Sequence, residues 1–257
     1  MGTHNGTGWE RKNRGIFDEI VISYDRIRWG YPDELYADII RYTGPGKGKK
    51  ALEIGAGTGK ATAPFLDSGY EVTAVEMSRN MAGFLLEKFK GCNNFDVITS
   101  TFEDASLNDE NYDLIYAASS FHWVDPETGC PKVFRLLKKG GVFALFRSNP
   151  VPAEGEKLYE EIQKVYEKYY YTYYISKERP VKKSRDDYFR PDETRKRFGF
   201  DCLERFGFSE VVMKLYDASR TYSADEYIEL LDTFSDHRSL PTDLREALYE
   251  GVKEVIL

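Results

Sequence analysis

Apolar residues recur along this chain in two rhythms. Ile16, Ile20 and Tyr24 fall on one side of FDEIVISYDRI, and Leu35, Ile39 and Tyr42 repeat at i, i+4 and i+7. Two amphipathic helices are expected there, broken at Gly30 and restarted by Pro32, whose missing N–H does no harm at a helix start. Short apolar runs then alternate with helical patterns. Strands are expected at Ala51–Ile54, Glu71–Glu76, Phe95–Thr99, Tyr112–Ala117 and Val142–Arg147. Helices should follow the first strand to about Ser68, cover Arg79–Phe89, and cover Pro131–Leu137, the last closed by a Lys139-Gly140-Gly141 turn. Such alternation builds a doubly wound, mostly parallel α/β sheet with helices on both faces and right-handed crossovers.

After Asn149-Pro150-Val151-Pro152 the alternation stops. One long helix is expected over Ala153–Ser176, a strand at Glu210–Tyr216, and helices at Ala224–Thr233 and Leu244–Val255. The Gly-, Asn- and Lys-rich stretch 1–15 is expected to be disordered. Residues 16–257 should then form a single domain. Its parts are a helical lid (16–45), a sheet core (46–150), a helical insertion or cap covering the sheet's carboxyl edge (151–205), and a C-terminal strand with helices (206–257).

Composition narrows the function classes. Of 257 residues, 41% are apolar and 31% charged, enough to close a core. The longest apolar runs, Leu114–Ala118 and Val142–Phe146, are far short of the roughly 20 residues a membrane-spanning helix needs. MGTHNGTGWE holds no apolar stretch fit for a signal peptide. With 36 Lys and Arg against 43 Asp and Glu, the net charge of −7 argues against a nucleic-acid partner. Cys92, Cys130 and Cys202 are odd in number and far apart, and His4, His122 and His237 are scattered. Neither a disulfide framework nor a metal site follows, and a reducing cytoplasm is the expected compartment.

The strongest local signal is Leu52-Glu53-Ile54-Gly55-Ala56-Gly57-Thr58-Gly59, a strand running into alternate glycines. Such a turn brings bare backbone close to a ligand, and open α/β sheets bind ligands outside the carboxyl ends of their strands. Glu76, 21 residues after Gly55, ends the second strand, where a carboxylate can accept from the ribose hydroxyls of an adenosine-containing ligand. A lone glycine turn is also simply a tight strand-to-helix connection. The dinucleotide pattern G-x-G-x-x-G needs glycine at position 60, where Lys60 stands. An NAD(P)-dependent oxidoreductase therefore remains an alternative without its motif.

Glu53-x-Gly55-x-Gly57-x-Gly59 with an acid closing the next strand resembles the class I S-adenosylmethionine-dependent methyltransferases. FDEIVISYDRIRWGYPDEL, with Tyr24, Arg28, Tyr31 and Pro32, resembles the opening of their trans-aconitate methyltransferase-like, type 11 group. Ser119-Ser120-Phe121-His122-Trp123-Val124 resembles the loop after the fourth strand, Leu136–Gly141 the turn before the fifth, Phe206-Gly207-Phe208 the approach to the sixth, and Thr221–Tyr227 a late helix start.

The resemblance implies a Rossmann-like fold, S-adenosyl-L-methionine as cofactor and S-adenosyl-L-homocysteine as product. It implies cofactor contacts from Glu53, Gly55, Ala56, Gly57, Gly59, Glu76, Met77, Phe102, Glu103, Ser119 and Tyr24. Arg28, Tyr31 and Trp123 would then meet a small-molecule acceptor under an N-terminal lid. Two features depart from the family. Thr101 replaces the first acid of the loop after strand three, leaving adenine to Glu103, backbone N–H groups or Phe102. The tail Tyr249–Leu257 is helical in pattern where the family adds an antiparallel seventh strand, so that strand is expected to be missing. These departures keep a non-catalytic cofactor-binding module open.

A sulfonium methyl needs chiefly an aligned nucleophile. A carboxylate acceptor requires no base, whereas a phenol or ammonium does. His122 is the candidate base, or else it only shapes the pocket. Arg28 is either a bidentate carboxylate clamp or a brace paired with Asp25 or Asp33. The tyrosines Tyr166, Tyr169, Tyr170, Tyr171, Tyr173 and Tyr174 suit a substrate cap, a helix core or a partner surface, so a monomer and a homodimer are both open. The basic run Lys177–Arg197, nine cations against five acids, reads as a solvated face rather than an RNA site.

Overall fold

Along β1 (Lys50–Ile54) successive side chains point to opposite faces, so Leu52 and Ile54 serve one core and Ala51 the other. β2 (Glu71–Glu76), β3 (Phe95–Thr99), β4 (Tyr112–Ala118) and β5 (Leu137–Phe146) follow the same alternation in a computed structural model that describes residues 6, 20–151, 156–175, 177–179, 185–188 and 203–257. Among the described residues every strand pairing is parallel, in the order β3-β2-β1-β4-β5. Strand order reverses between β1 and β4, which opens a crevice at their carboxyl ends. The doubly wound sheet expected from the alternation is present. The expectation for 1–15, apart from Gly6, lies outside the described residues.

The chain forms two compact units: Trp29–Asn149 with Tyr188–Ala218, and Met1–Arg28 with Pro150–Asp187 and Ser219–Leu257. In the sheet unit, α2 (Asp33–Thr43) starts after Pro32, and α3 (Thr62–Asp67) follows the glycine turn. The Ser78 hydroxyl caps α4 (Arg79–Lys88) by accepting from Met81 N–H. α5 spans Pro126–Leu136, starting five residues before the expected Pro131 because Asp125 caps it and Pro126 fits its first turn. The Lys139-Gly140-Gly141 turn is instead part of β5, where a register irregularity between Tyr112 and Leu114 absorbs Gly140 at φ +77°.

Glu210–Tyr216 is not a strand. Glu210 sits at φ +54°, and side chains hold the segment instead: Lys214 and Tyr216 both donate to Asp38 Oδ2 of α2 at 2.7 Å. Its residues also straddle the sheet, Val211 packing on one core and Tyr216 on the other.

The second unit is helical: α1 (Val21–Ile27), α6 (Lys157–Tyr169), α7 (Ala224–Asp232), α8 (Ser235–Arg238) and α9 (Thr242–Ile256). Ser223 and Glu226 complete a capping box at α7. Val165 of α6 and Gly251 of α9 meet so closely that a Cβ on Gly251 would lie 2.8 Å from Val165 Cγ1. The long helix expected to Ser176 ends at Tyr169. Aromatic and β-branched side chains are poor helix formers, and Tyr170–Tyr174 turn instead around Asp236. That cluster is core: Tyr170, Tyr171 and Tyr174 are buried with Ile162, Leu231 and Leu248. Residues 180–184 and 189–197 of the basic run lie outside the described residues. Among the described residues, no helix is long and apolar enough to cross a membrane.

Candidate functional site

Three glycines at the end of β1 take the left-handed conformation that L side chains rarely adopt: Gly55 at φ +67°, Gly57 at +59° and Gly59 at +78°. Gly55 is also sterically confined. A Cβ there would lie 2.7 Å from Ser120 Cβ, because Ser120 donates its hydroxyl to the Ile54 carbonyl and packs the β4 loop onto the turn. Gly59 N–H closes the turn on the Ala56 carbonyl at 2.9 Å, and Ala56 is buried. Lys88 Nζ of α4 binds the Thr58 carbonyl at 2.8 Å.

The acid closing β2 is tied into this turn. Glu76 Oε2 accepts from Gly57 N–H at 2.7 Å and Oε1 from Ser78 N–H at 2.8 Å, with the side chain 6% exposed. Met77 lies half-buried between them.

Glu53 lies beneath the turn, fully buried. Its Oε2 accepts from Thr62 Oγ1 at 2.5 Å and Tyr116 OH at 2.9 Å. Among the described residues, its Oε1 has no partner, and neither does the buried Thr58 Oγ1. Burial pushes the Glu53 pKa up to about 7, against the lowering pull of the Thr62 and Tyr116 hydroxyls.

The loop after β3 begins beside Glu76, Ser100 N–H donating to the Glu76 carbonyl at 3.1 Å. Thr101, in the place of the family's acid, bonds Asp104 through Oγ1, which donates to Oδ2 at 2.7 Å and accepts from Asp104 N–H at 3.2 Å. Phe102 is 4% exposed, and its ring packs in the core instead of standing free to stack on a base. Glu103 is half-buried.

Beyond β4, Ser119 adopts φ +55°, held by Tyr31 OH at 2.8 Å from its Oγ and by its own N–H to the Phe146 carbonyl at 2.9 Å. Phe121, His122 and Trp123 form one 3-10 turn, with Phe121 buried against Phe143. The His122 ring is exposed, yet surrounding protein and the Arg147 guanidinium push its pKa down to about 4. The imidazole is therefore mostly neutral at pH 7.

Residues 52–145 match the family model described as a methyltransferase domain. Residues 52–145 are thus a methyltransferase domain, of the S-adenosylmethionine-dependent kind. An uncharacterized methyltransferase of Mycobacterium tuberculosis is 33% identical over 129 residues, half of each chain. One from Schizosaccharomyces pombe is 25% identical over 245 residues, 93% of this chain and 86% of that protein. The chain spans about half the length of the mycobacterial relatives it matches. A putative type II methyltransferase from Anaeromyxobacter dehalogenans shares the fold, with a TM-score of 0.56 at 17% identity over 89% of both chains.

The methyltransferase domain fits its cofactor on its own geometry. The left-handed glycines leave bare backbone beside the orphaned Glu53 Oε1 and Thr58 Oγ1, and Glu76 offers a fixed carboxylate. Donor, acceptor and charge suit a ribose and a cationic amino-acid sulfonium, with Lys60 in place of the glycine a pyrophosphate turn needs. The described residues hold no group of three or more potential metal ligands.

The domain gathers Glu53, Gly55, Ala56, Gly57, Gly59, Glu76, Met77, Phe102, Glu103, Ser119, Tyr31, His122 and Trp123 in the sheet unit. Tyr24 and Arg28 belong to the helical unit. There Arg28 pairs with neither Asp25 nor Asp33. Its Nε donates to Thr233 Oγ1 at 2.7 Å and Nη2 to the Thr233 carbonyl at 3.0 Å, with the guanidinium 4.1 Å from the Phe234 ring centroid. It braces α1 onto the end of α7. Sequence reasoning missed Thr62 and Tyr116, which only the fold brings to Glu53, and Arg147, a strand end whose charge matters through its closeness to His122.

Proposed function

We propose that the protein transfers a methyl group from S-adenosylmethionine to a small-molecule acceptor, in the cytoplasm, by in-line displacement. The observation that supports this most is the Glu76 carboxylate fixed on the Gly57 amide beside three left-handed glycines. When bound, the cofactor supplies a methyl on a sulfonium, already a good electrophile. The chain's own task is then orientation. Glu76 and the glycine turn hold the adenosyl moiety, and the Ser119–Trp123 loop walls the carboxyl end of β4, where an acceptor would sit.

A carboxylate acceptor suits this site. It needs no general base, and an imidazole pushed toward pKa 4 is a weak one. Arg28 is bonded to Thr233, so the better-placed cation is Arg147, exposed at the end of β5 and close enough to His122 to depress its pKa. The test is transfer of isotope-labelled methyl to a panel of small carboxylates, phenols and amines. Label in carboxylates, lost in Arg147→Leu, supports the reading. Label confined to phenols or amines with a requirement for His122 overturns the carboxylate assignment.

A further inference from the structure

α5 of the sheet unit carries a cation that the methyl-transfer account does not use. Lys132 Nζ donates to three main-chain carbonyls of the loop after β3: Phe102 at 2.7 Å, Glu103 at 3.1 Å and Ala105 at 2.6 Å. The same ammonium lies 5.1 Å from the Phe102 ring centroid, and the side chain is half-buried. An ammonium has three donors, and here they converge on one turn of backbone much as a bound metal ion would.

The consequence lies in peptide geometry. In a planar trans peptide the C=O and the following N–H point opposite ways. Aiming the Phe102 carbonyl at Lys132 therefore turns the Glu103 N–H to the side away from α5. Thr101 fixes the next peptide, since its hydroxyl accepts from Asp104 N–H. The loop is joined to the ribose acid by the bond from Ser100 N–H to the Glu76 carbonyl. A base on a ribose held by Glu76 thus comes against a stretch of backbone whose donor and acceptor directions are set from behind.

We infer that Lys132 is the positioning residue for base recognition, gripping the 101–105 loop so that it discriminates adenine from hypoxanthine. Adenine offers an acceptor at N1 and a donor at N6; hypoxanthine reverses both. A loop with fixed peptide planes distinguishes them, and a loose one rotates to suit either. The inference rests on the cofactor reading above and names what enforces its selectivity.

The test is calorimetric titration of S-adenosylhomocysteine and S-inosylhomocysteine into the full chain and into Lys132→Met, which keeps the apolar stem over Phe102. Wild type should prefer the adenosyl ligand, and Lys132→Met should shrink the ratio of the two dissociation constants about tenfold. Weakening of both ligands by one factor, with the ratio unchanged, is the mark of a merely structural lysine and overturns the inference. Equal affinity of wild type for both ligands overturns it too, while leaving the cofactor reading intact. Binding of neither ligand to wild type overturns the cofactor reading itself. Should Lys132→Met not fold, Lys132→Arg serves: a planar fork cannot converge on three carbonyls, so the ratio must again fall, and an unchanged ratio overturns the inference.

Discussion

The Gly57 N–H donates to Glu76 Oε2 across 2.7 Å, so the acid that ends β2 is anchored on the turn that ends β1. The carboxylate is thereby oriented before any ligand arrives, and an adenosyl ribose meets acceptors that need no reorganisation. Glu76→Gln, which keeps the volume but loses the charge, should weaken S-adenosylhomocysteine binding about tenfold or more, as expected for a charge-assisted hydrogen bond. Titration calorimetry on the two proteins checks it; unchanged affinity removes Glu76 from the site.

Gly55 joins two constraints, a left-handed backbone at φ +67° and the Ser120 Cβ 2.7 Å from where its own would be. Gly55→Ala should cost about 2 kcal/mol of stability or more, from the backbone conformation and the displaced Ser120 together. Urea denaturation measures the loss, and cofactor affinity should fall with it because the turn must shift.

Glu53 makes stability depend on pH. Its folded pKa is raised to about 7 by burial, whereas in the unfolded chain it titrates at the ordinary carboxylate value. Between about pH 4.5 and 7 the unfolded chain has released this proton and the folded chain has kept it. Stability therefore declines as pH rises through that window, by about 3 kcal/mol for a shift of this size. Glu53→Gln should remove that decline. The difference between wild-type and variant unfolding free energies at pH 5 and pH 7 isolates it.

His122 is expected to be dispensable as a base. With its pKa lowered by the surrounding protein and by Arg147, His122→Ala should retain turnover within about threefold across pH 6–9, where loss of a working base costs roughly a hundredfold or more. A variant active only at high pH would restore the base role.

The helical unit rests on a buried charge cluster. Asp236 Oδ2 accepts from Lys177 Nζ at 2.6 Å and from Tyr170 OH, while Oδ1 lies 3.0 Å from His237 Nδ1 and His237 Nε2 lies 2.8 Å from Tyr166 OH. Although burial opposes ionisation, His237 and Lys177 hold the Asp236 carboxyl well below the usual range. Its contribution is present above the unfolded value near pH 4 and is lost as pH falls further. Lys177→Met removes the ammonium partner of this buried carboxylate and should cost about 3 kcal/mol in denaturant titrations; Lys177→Met with Asp236→Asn should recover part of that loss.

The short runs Leu52–Ile54 and Leu114–Ala117 are buried on both faces, so the strands and their parallel pairing could be read from the chain. The glycine turn and Glu76 were legible as neighbours at two strand ends, and the bond from Gly57 N–H to Glu76 joins them. What stayed hidden depends on contacts remote in sequence. Arg28 bonds Thr233, 205 residues away, and Lys132 reaches a loop about 30 residues back, neither with a local signature. The strand expected at Glu210–Tyr216 failed for a similar reason: its apolar spacing suits β structure, but Lys214 and Tyr216 answer to Asp38. The tyrosine run misled on helix length because its rings turn to bury around Asp236.

Isothermal titration of the wild-type chain with S-adenosylmethionine, run in parallel with NAD, reaches the centre of the account. Saturable one-site binding of S-adenosylmethionine, abolished or strongly weakened in Gly57→Val, is the predicted result. No heat with S-adenosylmethionine at high micromolar concentration, together with binding of NAD, would contradict it.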